Sequence, residues 1–414
     1  MINRVSFAPN MKLHRNIALG IISGLESTLI DRRPASDVIK KLLKSSPGWG
    51  SRDRRIIAQA FYDIIRQKRL YHALTGSESE ELNLWNLIGC WMVLNDFLLP
   101  EWMEFKNIHT EIIRVKTSVL VKDRKYKHSI PDWLDQMGVE AFGESTWEKE
   151  IAALNIPANL IVRVNNNRTN VKKLKERLEK KYNIISVIIP DYPDALVLEK
   201  KQSLQGIKEY REGWFEVQDA NSQKIAPWLH PESGKYYIDA CAGAGGKSLH
   251  LADLTKDSAK IVALDIYPAK LDELRKRCFR NKIQSVQTIN VDDEKVLNTV
   301  KANADGVLID VPCSGLGVLK RNPDTKWSMT PERLADITKT QEKLLQTYAP
   351  MVKKGGNLVY ATCSIIPLEN KIQVDNFLDS KVGSKFQLEK EHTYFSHLTG
   401  FDGFYCARLI KKCE

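Results

Sequence analysis

The sequence predicts an α/β protein whose carboxyl-terminal half is an open parallel sheet, preceded by an all-helical domain and a small α/β linking module. Three observations carry that prediction. From about residue 231 onward, short apolar, β-branched runs alternate with helical patterns. The first 126 residues read as mostly helical. Between them lies one strand–helix–strand pattern. The boundaries drawn from these patterns are 1–126, 127–225 and 226–414.

In residues 1–126, Ile17, Ile21, Ile22 and Leu25 share one helical face. Ile56, Ile57, Ala60, Phe61, Ile64 and Ile65 form a second apolar stripe at 3- and 4-residue spacing. Ser51-Arg52-Asp53-Arg54-Arg55 opens that second helix, with Ser51 as its expected cap and an acid in the first turn. His128 to Leu134 reads as a boundary. The linking module offers a strand at Leu160-Ile161-Val162-Arg163-Val164, a Lys-rich amphipathic helix from Val171 to Tyr182, and a strand over Ile184 to Ile189. Beyond it, Tyr236 to Ile238, Ile261 to Leu264, Val307 to Ile309 and Leu358 to Tyr360 are candidate parallel strands. A helix is expected after Thr330, with Pro331 at its first position and Leu334, Ile337, Leu344, Leu345 and Tyr348 on its apolar face. Lys353-Lys354-Gly355-Gly356 is expected to close that helix. Gly403 to Leu409 reads as a final edge strand.

The composition, 43% hydrophobic and 27% charged over 414 residues, is that of a globular protein of two or three domains. No apolar run approaches the roughly 20 residues of a membrane span, and no apolar core follows Met1-Ile2-Asn3-Arg4 as it would in a signal peptide. The seven cysteines are odd in number and scattered, with no Cys-x-x-Cys or Cys/His cluster. Reduced thiols, a cytoplasmic location, no membrane and no metal are expected. The net charge is +11 and the pI about 9.1. Residues 1–126 carry +7 of that charge, from 20 Lys+Arg against 13 Asp+Glu. Such a balance suits a polyanionic partner, although a solubility surplus gives the same composition. The Lys-rich helix over 172–181 reads first as a solvated face and second as an RNA contact.

Two cysteines stand in separate signatures, Asp310-Val311-Pro312-Cys313-Ser314-Gly315 and Tyr360-Ala361-Thr362-Cys363-Ser364, each after a candidate strand. In a parallel sheet both strand ends open on one edge, where ligands bind, so two thiols distant in sequence can face one pocket. A lone cysteine at a strand end is more often a small buried apolar group, and the side chains of Cys90, Cys241, Cys278, Cys406 and Cys413 are read as structural or incidental. The cofactor candidate is Asp239-Ala240-Cys241-Ala242-Gly243-Ala244-Gly245-Gly246-Lys247-Ser248, which follows the first strand and opens a helix. Asp265 ends the next strand, 20 residues after Gly245, where a carboxylate accepts hydrogen bonds from ribose hydroxyls. A P-loop fails because Cys241 stands where its first glycine belongs, and a dinucleotide fingerprint fails at Ser248. S-adenosylmethionine, which needs the loop and the carboxylate but no pyrophosphate cradle, fits best. A purely structural strand–helix turn is the remaining reading.

Together these residues resemble the Sun family of RNA cytosine-5 methyltransferases, most closely its RsmB-like bacterial members. The resemblance rests on the Gly-Gly-Lys turn, the two cysteine signatures, Arg321-Asn322-Pro323-Asp324-Thr325-Lys326-Trp327, and Pro367-Leu368-Glu369-Asn370, over about residues 210–414. Val217-Gln218-Asp219-Ala220 also fits. Residues 1–126 resemble a NusB-like RNA-binding domain, mainly through Arg52-Asp53-Arg54. One departure is Gly243-Ala244 where the family reads Ala-Pro, which frees the loop backbone. The resemblance implies a Rossmann-like methyltransferase core. It implies that the backbone of Cys241, Ala242, Gly243, Ala244, Gly245, Gly246 and Lys247 holds the methionine moiety of S-adenosylmethionine. Asp265 would bind ribose, and Asp292 would lie near adenine, with the adjacent Asp293 as the less favoured alternative. Asp310 would sit beside the methyl donor and the target base, Cys363 would be the nucleophile, and Cys313 would assist product release. Lys247 is open to two roles, one on the substrate and one paired with a carboxylate.

The implied substrate is RNA, with 16S ribosomal RNA favoured and transfer RNA open, and the implied protein is a monomer. C5 of cytosine is a poor nucleophile. A thiolate adding to C6 makes C5 nucleophilic, and removal of the C5 proton after methylation expels the thiolate. Two alternatives remain at this stage. A DNA cytosine-5 methyltransferase would use the Pro-Cys thiol and leave Cys363 idle. A non-catalytic RNA-binding factor would keep the fold without binding the cofactor.

Overall fold

The computed structural model describes residues 10–76, 81–292, 294–300 and 302–413; Asp293 lies outside them. The chain divides into two compact units, one of residues 1–157 and 318–331, the other of 158–317 and 332–414.

The first unit is helical apart from one short parallel strand pair, Met11–Lys12 with Phe97–Leu98. Helices Arg15–Leu25 and Ser51–Arg66 bury the two apolar faces the sequence marks, with Ile21, Ile57, Phe61 and Ile64 inaccessible to solvent. Ser51 is not the cap of the second helix. Gly50 precedes the first turn, and the Asp53 carboxylate reaches back to accept its N–H at 3.2 Å. Arg54 is spent internally on the carbonyls of Trp49 and Ser46, each at 2.9 Å, and on that of Leu43. The signature Arg321 to Trp327 packs in this unit. Lys326 is fully buried and donates to the carbonyls of Arg66, His128 and Ser129 and to Asn155 Oδ1 at 2.7–3.2 Å. Trp327 donates to Ile65 O at 2.7 Å, and Asp324 accepts from Ala35 N at 3.1 Å.

The second unit contains two sheets. The smaller has four antiparallel strands, Leu160–Val164, Ser186–Ile189, Tyr192–Leu198 and Phe215–Val217. Helix Val171–Tyr182 covers it with Leu174 and Leu178. That helix begins where the Asn170 side chain accepts from Lys173 N and ends at left-handed Asn183, φ +53°, a cap worth about 1 kcal/mol. The sheet is fastened to the larger one through Glu216, which takes Arg277, Arg280 and the Asn281 amide.

The larger sheet has seven strands: β1 Tyr236–Asp239, β2 Lys260–Asp265, β3 Val286–Asn290, β4 Ala304–Asp310, β5 Val352–Thr362, β6 Phe386–Tyr394 and β7 Phe404–Lys411. Their order is β6-β7-β5-β4-β1-β2-β3. β1 to β5 run parallel, and β7 enters antiparallel between β5 and β6. The order reverses between β1 and β4, which is where an open α/β sheet binds its ligand. This is the Rossmann-like core the sequence predicts. Two expectations are corrected here. β7 is an interior strand, and the edge beyond it is β6, whose Phe-Gln-Leu-Glu-Lys-Glu-His-Thr-Tyr sequence is too polar to signal a strand. β3, the other edge, is hidden for the same reason. Lys353 to Gly356 does not end the helix, which stops at Tyr348. These residues lie in β5, where pairing with β4 jumps from Ala304–Val352 to Gly306–Asn357 and the extra residues bulge outward.

Candidate active site

Every parallel strand ends in a polar side chain: Asp239, Asp265, Asn290, Asp310 and Thr362. β4 and β5 are paired up to Asp310–Ala361, so the turns that follow emerge side by side. Cys313 and Cys363, 50 residues apart, thereby come to a sulfur–sulfur distance of 3.1 Å. Cys363 N also donates to Cys313 Sγ at 3.3 Å. The hydrogen bond to Cys363 and burial push the Cys313 thiol well up, and the charge of Glu369 adds to this. Close approach of the chain seals the pair from one side. Gly317 N donates to Cys363 O at 3.0 Å, and a Cβ on Gly317 would come within 2.3 Å of Gly403 O.

Lys247, from the first turn of helix Gly246–Leu254, forms an ion pair with Asp310. Burial works against the ammonium, but Asp310, with smaller contributions from Asp239 and Cys363, raises its pKa. The Asp310 side chain is 28% exposed and that of Lys247 10%, so the carboxylate is the member that faces open space. Asp239 lies underneath, fully buried, accepting from Ser248 Oγ at 2.6 Å. Burial pushes its carboxyl up to about 7.

The turn over 241–247 has the features a nucleotide-type ligand needs. Gly243 and Gly245 have φ of +55° and +84°, and a Cβ on Gly245 would strike Leu274 Cδ1 at 2.0 Å, so only glycine serves there. The N–H groups of Gly246, Lys247 and Ser248 begin a helix and have no intrahelical acceptor. Asp265 accepts from Gly243 N at 2.8 Å and Tyr267 N at 2.9 Å, which fixes its carboxylate beside the turn and leaves lone pairs for hydroxyl donors. Asp292 is exposed, two residues beyond the end of β3. The residues present therefore fit S-adenosylmethionine: donors for its carboxylate at a helix start, and an acceptor for its ribose at the end of β2.

Sequence reasoning missed Arg277. It joins Glu216 at 2.9 Å and donates to Ala244 O at 2.6 Å. That bond restrains the peptide where the resemblance would place proline. Burial opposes ionisation of Glu216, but Arg277 and Arg280 prevail and hold it below the usual carboxylate range. A charge-charge pair across 60 residues leaves no local sequence signal. The cysteines outside the pair are free; Cys90, Cys278 and Cys406 are buried, Cys241 is partly buried and Cys413 is exposed. Among the described residues no group of His, Cys, Asp or Glu has the arrangement of a metal site.

Fold and site together define a class, the S-adenosylmethionine-dependent methyltransferases with a two-thiol centre. Residues 226–410 match the family described as "16S rRNA methyltransferase RsmB/F", and residues 130–205 match the ferredoxin-like domain of RsmF/B-like methyltransferases. An Escherichia coli ribosomal RNA small subunit methyltransferase B is 31% identical over 297 residues, covering 70% of this chain and 68% of that one. The chain belongs to this family, and the resemblance read from its signatures holds. A Synechocystis protein described as a probable ribosomal RNA small subunit methyltransferase B is 34% identical over 254 residues, and the chain spans 57% of its length. Among solved structures, PH0851 superimposes with a TM-score of 0.79 over 97% of this chain and 100% of its own, at 23% identity. NSun6 from Pyrococcus horikoshii gives 0.62 over 69% and 98%, at 20% identity. Both share the fold. S-adenosylmethionine is the cofactor that the family and this site require. Among the described residues no helix is long and apolar enough to cross a membrane.

Proposed function

We propose that the protein methylates carbon 5 of a cytosine in RNA through a transient bond between Cys363 and C6. Small-subunit ribosomal RNA is the favoured substrate, because the relatives named above carry that substrate in their names. The observation that carries the reading is the thiol pair at 3.1 Å next to the Lys247–Asp310 ion pair.

Cys363 attacks C6 as the thiolate, and the charge that builds on the ring is met at N3 by a proton that Asp310 passes on from the Lys247 ammonium. Lys247 keeps a proton at the Asp310 carboxylate and is the cation of the site. The 241–247 turn and Asp265 would hold S-adenosylmethionine, whose sulfonium would supply the methyl group for C5. Cys313 then assists removal of the C5 proton and release of Cys363. Its timing follows from its environment. While Cys363 is free, their hydrogen bond is the foremost cause that keeps Cys313 protonated. Once the Cys363 sulfur is bonded to C6 it is a neutral thioether, that cause is gone, and Cys313 ionises more readily when a base is needed. The target must be unpaired or turned out of a helix for C6 to be reached. Residues 1–126, with their +7 charge, act as the NusB-like RNA-binding part.

Sequencing cellular RNA for 5-methylcytosine with and without this protein, and repeating the transfer with purified protein and S-adenosylmethionine, tests the reading. A ribosomal position methylated only when the protein is present is the expected result. Transfer to another atom, to DNA alone, or to nothing overturns it.

A further inference from the structure

The Pro367-Leu368-Glu369-Asn370 signature touches neither sulfur and has no part in the chemistry above, yet two of its side chains hold both thiol turns. Glu369 is fully buried. Its Oε1 accepts from Ser314 N at 2.7 Å and Gln341 Nε2 at 3.1 Å, and its Oε2 accepts from Ser314 Oγ at 2.5 Å. Gln341 Nε2 also donates to Pro312 O at 3.1 Å. Both flanks of Cys313 are thus tied to one carboxylate and the amide beside it. Asn370, 2% exposed, does the same for Cys363: its Oδ1 accepts from Thr362 Oγ1 at 2.6 Å and its Nδ2 donates to Ser364 O at 3.0 Å. Ser314 Oγ lies 3.3 Å from Ser364 Oγ and links the two turns directly. Tyr360, inside β5, donates to Glu369 O at 2.6 Å and anchors the brace to the sheet.

We propose that Glu369 and Asn370 are positioning residues that set the separation of the Cys313 and Cys363 sulfurs, one residue for each turn. The proposal rests on the two-thiol reading of the site. The physical need is plain. A thiol that must act on the adduct formed by its neighbour has to lie within reach of the same ring carbons, and turns after strand ends do not hold such tolerance unless their flanks are fixed. The carboxylate has a second effect. Its charge adds to the hydrogen bond and burial that keep Cys313 protonated, so the brace also favours Cys363 over Cys313 as the attacking group.

The test uses the full chain and two readouts. Phenylarsine oxide bridges two thiols only when they are close, so its affinity reports sulfur separation without RNA or turnover; Cys363→Ala supplies the background. Adduct release on target RNA reports the catalytic consequence. Glu369→Gln keeps one acceptor oxygen for Ser314 N and Gln341 Nε2, puts an amide N–H group that can donate to Ser314 Oγ in place of the other oxygen, and removes the charge; arsenical affinity within about twofold of wild type is expected. Asn370→Ala and Glu369→Ala should each lose about tenfold in arsenical affinity and accumulate adduct, with cofactor affinity unchanged. If either alanine variant fails to fold, Ser314→Ala, which removes only one hydroxyl, should still lose about threefold. Wild-type arsenical affinity in Asn370→Ala, or in Ser314→Ala where the larger changes unfold, overturns the proposal. An inactive wild type with these arsenical losses intact would overturn the methylation reading and leave the brace standing.

Discussion

Replacing Asp239 with asparagine should stabilise the protein at pH 8 and change it little near pH 4. Asp239 is inaccessible to solvent at the end of β1. One carboxyl oxygen accepts from Ser248 Oγ, while Oδ1 has no hydrogen-bond partner. Burial pushes the carboxyl from an ordinary 3.8 to about 7, with the charges of Asp310 and Asp265 adding to the push and Ser248 and Lys247 opposing it. At roughly 1.4 kcal/mol per pH unit, a rise of about 3 units corresponds to about 4 kcal/mol. The sign follows from linkage. The folded state holds the proton more tightly than the unfolded one, so this stabilisation is full below pH 3.8 and lost as pH rises through about 7. Asparagine never ionises and still accepts from Ser248. His250 also titrates abnormally, with burial lowering it to about 4, but it is present in both proteins and cancels in their difference. Urea unfolding of wild type and Asp239→Asn between pH 4 and pH 8 should therefore give a gap that opens with pH, towards about 4 kcal/mol in favour of the mutant. A gap independent of pH, or one favouring wild type at pH 8, would refute the reasoning.

Three further outcomes follow from named residues. Asp265→Ala removes the expected acceptor of ribose hydroxyls and frees Gly243 N and Tyr267 N. Two charge-assisted bonds at roughly 1.5–3 kcal/mol each predict that calorimetry shows S-adenosylmethionine binding weakened on the order of 100-fold or more; unchanged affinity in a folded mutant removes Asp265 from the site. Lys326→Met removes the shared donor of three carbonyls and Asn155 Oδ1, of which His128 O keeps a second donor in Asn155 Nδ2, and should cost about 3 kcal/mol or more. An unchanged melting temperature would contradict that. Changing the exposed Lys40, Lys41 and Lys44 to glutamine should weaken RNA binding and flatten its salt dependence by about 0.7–0.9 for each phosphate no longer neutralised, and equal slopes would take these lysines out of the RNA interface.

What could be read from the sequence was whatever local pattern determines. The helix over Val171–Tyr182 has its cap, apolar stripe and stop within a few residues, and the strands β1, β2, β4 and β5 have continuous apolar runs. The cofactor turn was legible because its glycines answer a backbone requirement. Edge strands were not, since β3 and β6 have a solvent-facing side and lack the apolar run. Nor was the interior place of β7, because sheet position depends on pairing partners and not on its own residues. Lys326 is the sharpest example. A lysine is ordinarily expected at the surface, and only the convergence of carbonyls from Arg66, His128 and Ser129 makes its burial tolerable. Of the site, the two thiols and Asp310 were visible in their signatures, whereas Arg277 and the links from Glu369 and Asn370 exist only once distant segments meet.

The central claim is that Cys363 attacks and Cys313 releases, and it is tested most directly by trapping the covalent complex. Cys313→Ser, incubated with target RNA and S-adenosylmethionine and run on a denaturing gel, should methylate, stall and give a retarded protein–RNA band. Cys363→Ser should give none, because an alcohol is far less ionised than a thiol at neutral pH, and the double mutant should give none either. A band that requires an intact Cys313 and survives loss of Cys363 would contradict the account and assign the nucleophile to the other sulfur.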